Sequence, residues 1–562
     1  MNDEKKSESL DGKTLSETKT KSRFPKKMLI WTVFLAIVLF VLHWQLYNFN
    51  EWFNMNPAVP SLAALLLVPL TIYAWSFWCF FWGRLRLVGI FVFLAPTIFF
   101  YLYTPKFLGD ANFVGFTPRF WTRAAEFKEA ETDTGTVDVV TTTPNDFPQF
   151  LGPNRNSKVA QPVKLAAWSD RKPEQLWKID VGNGWSGFSV VNGFAITQEQ
   201  RGAEELVSCY DIMTGELKWA NRSERRHEDT MAMGKAGPRA TPTVHDGLVY
   251  VTSATGVLDC IDGATGETIW TADVPKLVGI EQNEKTNSMG LNYTEENSTM
   301  AWGRSGSPLI VDDMVVVTAG GPAPTDATTP STTATLIAFN KKVGAELWRG
   351  GSRMVAYGSP ALTTIAGRRQ IILVAEDKAV GHDVETGEEL WNFDRPGSSS
   401  GAANCSQATF VGDDRIIFSK GYGSGGELVK IKNDGEKFSV ESLHKDPRVL
   451  KTKLTSPVIH EGHAYSLSDG FLECTEVDSF RRKWKVRGRF GNGQLLLVGD
   501  KLIVHAELGE LFLVAADPSE YKELGTAPTI QGICWNTICL YGDLLLVRSD
   551  LEAACYRLPT EP

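Results

Sequence analysis

No CxxC pair occurs among the eight cysteines of this 562-residue chain, so neither a zinc ribbon nor a thioredoxin-like redox motif is available to it. HExxH and the P-loop are also missing, which removes the signatures of zinc peptidases and phosphate-cradling NTPases. The one G-x-S-x-G match, GSSSG (397–401), follows the strand pattern of a repeat copy rather than opening a helix, and the Gly-rich run KGYGSGGE (420–427) has no Lys-Ser/Thr after it and reads as a hairpin connection. Basic excess is lacking too. The 57 Lys and Arg are outnumbered by 66 Asp and Glu, and the net charge of −9 argues against a nucleic-acid partner.

Long apolar runs are confined to one end. Residues 1–27 are polar and lysine-rich and read as a disordered cytoplasmic tail. Three apolar stretches follow at about 28–48, 58–82 and 87–104. Each is long enough, or nearly so, to cross a ~30 Å hydrocarbon core as a helix. Three in succession do not fit a cleaved signal peptide. Lys and Arg crowd the tail, are absent from the first loop, and return in the second as Arg84 and Arg86. The positive-inside rule therefore puts the N-terminus in the cytoplasm and everything beyond about residue 105 outside it. Trp44, Trp52, Trp75, Trp78 and Trp82 suit an aromatic belt. His43, near a span end, is read as tolerated rather than functional. Residues 105–146, with a possible amphipathic piece at 119–131, read as a tether.

The remainder is a repeat. DIMTGELKW (211–219), DGATGETIW (262–270), NKKVGAELW (340–348) and DVETGEELW (383–391) are near-copies. Eight short hairpins recur with them, among them VVNGFAI (190–196), VHDGLVY (244–250) and YGDLLLV (541–547). They are rich in Val, Ile and Leu and bounded by turn residues, as strands are. ATPTV (240–244), GSPLI (306–310), GSPAL (358–362) and TSPVI (455–459) precede several of them, with Pro where a strand begins and a missing N–H costs least. Four antiparallel strands per unit and eight units predict an all-β, eight-bladed β-propeller over 147–562, preceded by three transmembrane helices. The last unit ends after three strands, and EQLWKID (174–180) is expected to supply its fourth and close the ring. A ladder of Trp177, Trp219, Trp270, Trp348, Trp391 and Trp484 is incomplete, with no match in the fifth and seventh units.

The repeat reassigns most candidate sites. The carboxylates of DVETGEELW fall in a turn whose other copies replace Glu385 with Met213 or Ala264, so they are read as turn chemistry and not as a metal site. Cys209, Cys260, Cys474 and Cys555 share one repeat position that Ala338 and Gly381 fill elsewhere, which favours packed free thiols over disulfides. Cys534 and Cys539 are close enough in sequence to consider pairing, without a strong geometric reason for it. His460 and His463 align with a hairpin turn, so no metal is assigned to them. The channel mouth remains. Trp185, Arg239, Arg304, Tyr357, Asn404, Lys453 and Trp535 stand just before the first strands and are the ligand-binding candidates, for something anionic or planar. The polar insert at about 275–302 is a candidate partner-contact loop. No catalytic residue is assigned.

The repeat SP-x-[VIL]…DG-x-[VL]-[YV]…[AC]-x-D-x-x-TG-x-x-x-W resembles that of the pyrroloquinoline-quinone-like (PQQ-like) propellers. NDFPQFLGPNRN (145–156) resembles the W-P-Q-F-R-G-P-x-R opening of bacterial members, with Phe147 in place of Trp. The resemblance implies two functional classes. Quinoprotein dehydrogenases hold PQQ with calcium, using an adjacent Cys-Cys ring and a Glu/Asn/Asp metal set, and oxidise alcohols or sugars. This chain has no adjacent Cys pair. The other class is similar to the propeller subunit of outer-membrane protein assembly machinery, which binds partner proteins on loops without catalysis. The expectation is the second: a multi-pass inner-membrane protein whose propeller scaffolds envelope proteins in the periplasm without a cofactor. A PQQ-dependent dehydrogenase, with PQQ and calcium, is the alternative.

Overall fold

The computed structural model describes residues 72–73, 75–76, 86–107, 113–118, 137–159, 163–227, 236–280, 285–286, 292–293, 302–321, 333–354, 356–398, 402–486 and 490–561. The tail at 1–27, the first expected span, most of the second and the piece at 119–131 lie outside the described residues. So does most of the 275–302 insert. The chain divides into two units. One contains the helix Arg86–Leu102, which falls on the third apolar stretch. Its 17 residues rise about 25 Å at 1.5 Å each. Leu87, Phe91 and Tyr101 are among its exposed apolar side chains. Among the described residues no helix is long and apolar enough to cross a membrane.

The other unit contains eight four-stranded antiparallel sheets, seven of them meanders in chain order. Blade one runs Ser189–Val191, Phe194–Arg201, Glu204–Asp211 and Leu217–Ser223. Blades two to seven occupy 243–273, 309–350, 361–394, 409–446, 458–486 and 494–528. Blade eight joins Cys539–Tyr541, Leu544–Arg548 and Glu552–Arg557 to Glu174–Asp180, an outer strand taken from far earlier in the chain. Closing the ring with a distant strand leaves no blade short of an edge.

The two chain reversals on one face have visible causes. Between the first two strands, Asn192 and Gly193 both have positive φ, 48° and 82°, as a two-residue hairpin matched to strand twist requires. Between the last two, Asp383 Oδ1 accepts from the amides of Glu385 and Thr386, each at 2.9 Å. Asp211, Asp262 and Asn340 do the same in their own blades. The carboxylate cluster that opens this repeat copy is thus a side-chain cap on a turn.

The turn between the last two strands also receives the Trp of the preceding blade in four places. Trp177 Nε1 donates to Ile212 O at 2.8 Å, Trp219 to Gly263 O at 3.0 Å, Trp270 to Lys341 O at 3.2 Å and Trp484 to Asp517 O at 2.9 Å. The ring lies flat on the turn glycine: a Cβ on Gly266 would stand 2.8 Å from Trp219 Cδ2. Glycine is needed there twice, for φ of +79° and for the room. Across the sheet, Cys209 pairs with Trp219, Cys260 with Trp270, Cys474 with Trp484 and Cys555 with Trp177. Ala338 faces Trp348 and Gly381 faces Trp391. The position opposite an indole must be small, which accounts for the shared cysteines. The seven described cysteines are all free, Cys534 and Cys539 included.

The chain ahead of the first blade is laid on the propeller. Val137 and Val139, inside the stretch read as a tether, are buried with Val191, Trp219 and Val249. Asp146 accepts from Asn192 N at 3.0 Å.

Candidate functional site

Each inner strand starts at the face opposite those turns, and its N-terminal end frames the mouth of the central channel. A belt of side chains ties these ends together. Gly187 N donates to Thr241 Oγ1 at 3.1 Å, Thr241 N to Ser307 Oγ at 3.0 Å, and Ser307 N to Ser359 Oγ at 2.9 Å. Ser359 N donates to Gln407 Oε1 at 3.2 Å and Gln407 N to Ser456 Oγ at 2.8 Å. Each bond crosses from one blade to the next. Gln494 carries the belt onward, donating to Leu454 O at 2.8 Å and Trp535 O at 2.9 Å. The small polar residue before each strand-starting Pro is therefore a link between blades.

The channel is stopped from the turn face. Phe147 forms a bridge with Val190, and Pro148 O accepts from Val244 N. The chain then turns back through Leu151 and Gly152, with φ of 60° and 84°, and Val159 N reaches Leu497 O in blade seven. Arg155 pins this loop. Its guanidinium donates to Pro308 O at 2.8 Å, Ser307 O at 3.0 Å and Gln149 Oε1 at 3.2 Å. Burial pushes its pKa down to about 9. Phe150 and Leu151 at the loop's tip form the floor of a cavity of ≈ 140 Å³ that opens at the mouth.

The wall of that cavity comes from residues two places ahead of the belt: Trp185, Arg239, Ser305, Tyr357, Cys405, Leu454 and Trp535. Four of the seven expected residues are thus brought together, namely Trp185, Arg239, Tyr357 and Trp535. Trp185 stacks on Trp535 with centroids 4.6 Å apart. Tyr357 stacks on Trp302, the end of the polar insert, at 5.1 Å.

The lining around the cavity does not include Arg304, Asn404 or Lys453. Arg304 is buried and donates to Thr318 O and Ala319 O. Asn404 Nδ2 donates to the carbonyls of Arg395 at 2.7 Å and of Ala375 and Glu376 at 3.0 Å. Lys453 lies 5.5 Å from the centroid of the Tyr422 ring and 4.0 Å from Asp469. All three sit one place too early. In an extended segment one place sends the side chain to the opposite side, so Ser305, Cys405 and Leu454 line the cavity in their stead. Counting back from the Ser or Thr before each Pro would have found Ser305 and Leu454; Cys405 lies in a blade with Gln407-Ala408 at that place and carries no such mark. Phe150, Leu151 and Trp302 carry no such signal, because they arrive from outside the repeat.

The chemistry of the lining is narrow. Among the described residues that line it, Arg239 is the one charged side chain and no carboxylate is present. Burial holds the Cys405 thiol up at about 12, far from a reactive thiolate. The described donor set, with no carboxylate among it, does not fit a quinone held with calcium. His460 and His463 oppose each other across a hairpin turn, and His463 Nδ1 contacts Glu461 O at 2.8 Å. Among the described residues no three His, Cys, Asp or Glu are grouped to hold a metal.

A second cluster lies at the same face between blades one and two. Glu205 is buried, its Oε1 has no hydrogen-bond partner, and burial raises its pKa to about 7 despite the nearby Arg225 and Arg239. Arg225 forms an ion pair with Asp259.

Eight blades joined by a Trp-on-Gly clasp and a Ser/Thr belt define a PQQ-like repeat propeller. The chain belongs to the outer membrane protein assembly factor BamB family, whose model matches residues 164–485. No curated protein matches it in sequence. Among solved structures it is similar to the quinohemoprotein alcohol dehydrogenase of Comamonas testosteroni, at 12% identity and a TM-score of 0.50, over 77% of this chain and 84% of that one. BamB from Moraxella catarrhalis is 14% identical with a TM-score of 0.44, over 69% of this chain and 100% of that one. Sqt1 of Saccharomyces cerevisiae is 10% identical with a TM-score of 0.43, over 71% of this chain and 100% of that one. Identities this low speak to the fold alone.

Proposed function

We propose that the chain is an inner-membrane-anchored propeller, facing the periplasm, that binds envelope proteins through its mouth face and carries out no chemistry of its own. The observation that carries this reading is the blind channel. Its mouth is ringed by residues that differ from blade to blade, while the belt beneath them repeats. A rigid ring presenting a varied rim suits recognition, and the described lining places no base beside its hydroxyls or the Cys405 thiol. Membership in a family described as an assembly factor supports the same reading. Anchoring rests on the three apolar stretches, the cationic tail and the exposed apolar side chains of the helix Arg86–Leu102.

The test is made on the full chain in detergent, supplied with PQQ and calcium and assayed for dye-linked oxidation of alcohols and sugars. No turnover above a buffer blank is expected. Saturable, quinone-dependent turnover would overturn the reading and make the chain a dehydrogenase. Protease added to spheroplasts should cut the propeller, and protection of the propeller would refute the periplasmic placement.

A further inference from the structure

The mouth cavity has the dimensions of one aromatic ring. Its ≈ 140 Å³ is close to the roughly 150 Å³ of an engineered apolar cavity that takes up benzene. The aromatic side chains around it are held by bonds of their own. Trp535 Nε1 donates to Glu507 Oε1 at 2.8 Å, and the Tyr357 hydroxyl accepts from Trp302 N at 3.2 Å. Such anchored rings offer carbon faces and edges to a guest, and aromatic pairs prefer offset or edge-to-face contact at these separations. Phe150 and Leu151 line its inner end. Among the described lining residues Arg239 supplies the single charge; its guanidinium also donates to Gly237 O and lies near Glu205, and a guanidinium favours a carboxylate partner.

We propose that this cavity receives one monocyclic aromatic ring bearing a carboxylate, with the ring among Trp185, Trp535, Trp302 and Tyr357 and the carboxylate on Arg239. Two sources offer that group: a free arylalkanoic acid, or the C-terminal phenylalanine of a bound polypeptide. The proposal does not depend on the scaffold reading, since the ring site exists whether or not a protein covers the mouth.

The full chain in detergent is titrated with 3-phenylpropionate by calorimetry and by saturation-transfer NMR. One site with a dissociation constant on the order of 0.1–1 mM is expected for a ligand this small. The corresponding amide should bind roughly tenfold more weakly, the worth of one charge-assisted contact. Leu454→Trp, which fills the cavity from its wall, should abolish binding at an unchanged melting temperature. Should that variant misfold, Arg239→Gln decides: it should bind acid and amide alike. A pentapeptide ending in phenylalanine separates the sources. Binding at least about tenfold tighter than the free acid, and lost on C-terminal amidation, assigns the site to a chain terminus. Equal or weaker binding assigns it to the free acid. No saturable binding of 3-phenylpropionate up to about 10 mM, beyond the weakest affinity expected for such a ligand, would overturn the proposal. Binding indifferent to both substitutions would overturn it as well.

Discussion

The two faces of the propeller are built on opposite principles. On the turn face the same residue types make the same bonds in blade after blade: an Asp or Asn caps a turn, a Gly accepts an indole, and the indole N–H meets the next blade's carbonyl. At the mouth the backbone positions repeat and the residues do not. Trp, Arg, Ser, Tyr, Cys, Leu and Trp stand at equivalent places on seven blades. Identity held constant marks what the ring needs to stand. Identity varied at a constant place marks what the ring holds out to solvent.

The contrast can be broken most severely at the clasp. Trp219→Ala should cost about 3–5 kcal/mol, since it empties a buried indole site and strands Gly263 O. The midpoint of urea unfolding followed by circular dichroism would register it. Gly266→Ala attacks the other half of the clasp, and should cost about 2–3 kcal/mol by forcing a Cβ onto Trp219 at positive φ.

Glu205 tests the mouth face through pH. Its folded pKa, raised by burial to about 7, exceeds the usual unfolded value of about 4.3. The protonated acid is therefore the form the fold prefers, and its contribution is complete below about pH 4.3 and lost as pH rises through about 7. Glu205→Gln should then stabilise the protein by on the order of 2 kcal/mol at pH 8, with the gain shrinking towards pH 4. Melting temperatures of both proteins across that range would show converging curves. Parallel curves would mean that Glu205 ionises as an ordinary surface carboxylate.

The mildest comparison sharpens the boundary between belt and rim. Ser307→Ala removes one belt acceptor and leaves Thr241 N buried without its partner, at a cost of about 1–2 kcal/mol. Leu454→Ser, on the half-buried wall, should stay within about 0.5 kcal/mol of wild type. Similar losses at the two sites would erase the distinction drawn here.

Much of the turn face was legible beforehand because turn chemistry is local. Asp383, Gly387 and Trp391 lie within nine residues, and each carries a stereochemical demand that few residue types meet. The leftover strand 174–180 could be matched to the last blade by the same counting. The mouth was legible in position and blurred in register. Arg304, Asn404 and Lys453 drew notice as polar residues near the strand starts, yet side-chain direction in an extended segment turns on a single place. The belt supplies the missing reference, and it is visible only once Thr241, Ser307 and Ser359 are seen to bond across blades. The plug was beyond local reading. Arg155 holds it through carbonyls of Ser307 and Pro308, some 150 positions on, and no short pattern encodes such a contact. Trp391 and Trp348 depart from their fellows: the Trp391 indole N–H goes to Gln370 Oε1 in its own blade at 2.7 Å, and the Trp348 indole, though its ring lies on Gly387, leaves its N–H without a hydrogen-bond partner.

The division of labour between the faces is tested most directly by placing a photo-activatable crosslinking residue at single positions of the full chain in living cells. Ser305 and Leu454 report on the mouth, and Met213 and Val343, both exposed, on the turn face. The account predicts adducts of one discrete mass from the mouth positions and none from the turn positions. Discrete adducts from Met213 and Val343 with none from Ser305 and Leu454 would contradict it.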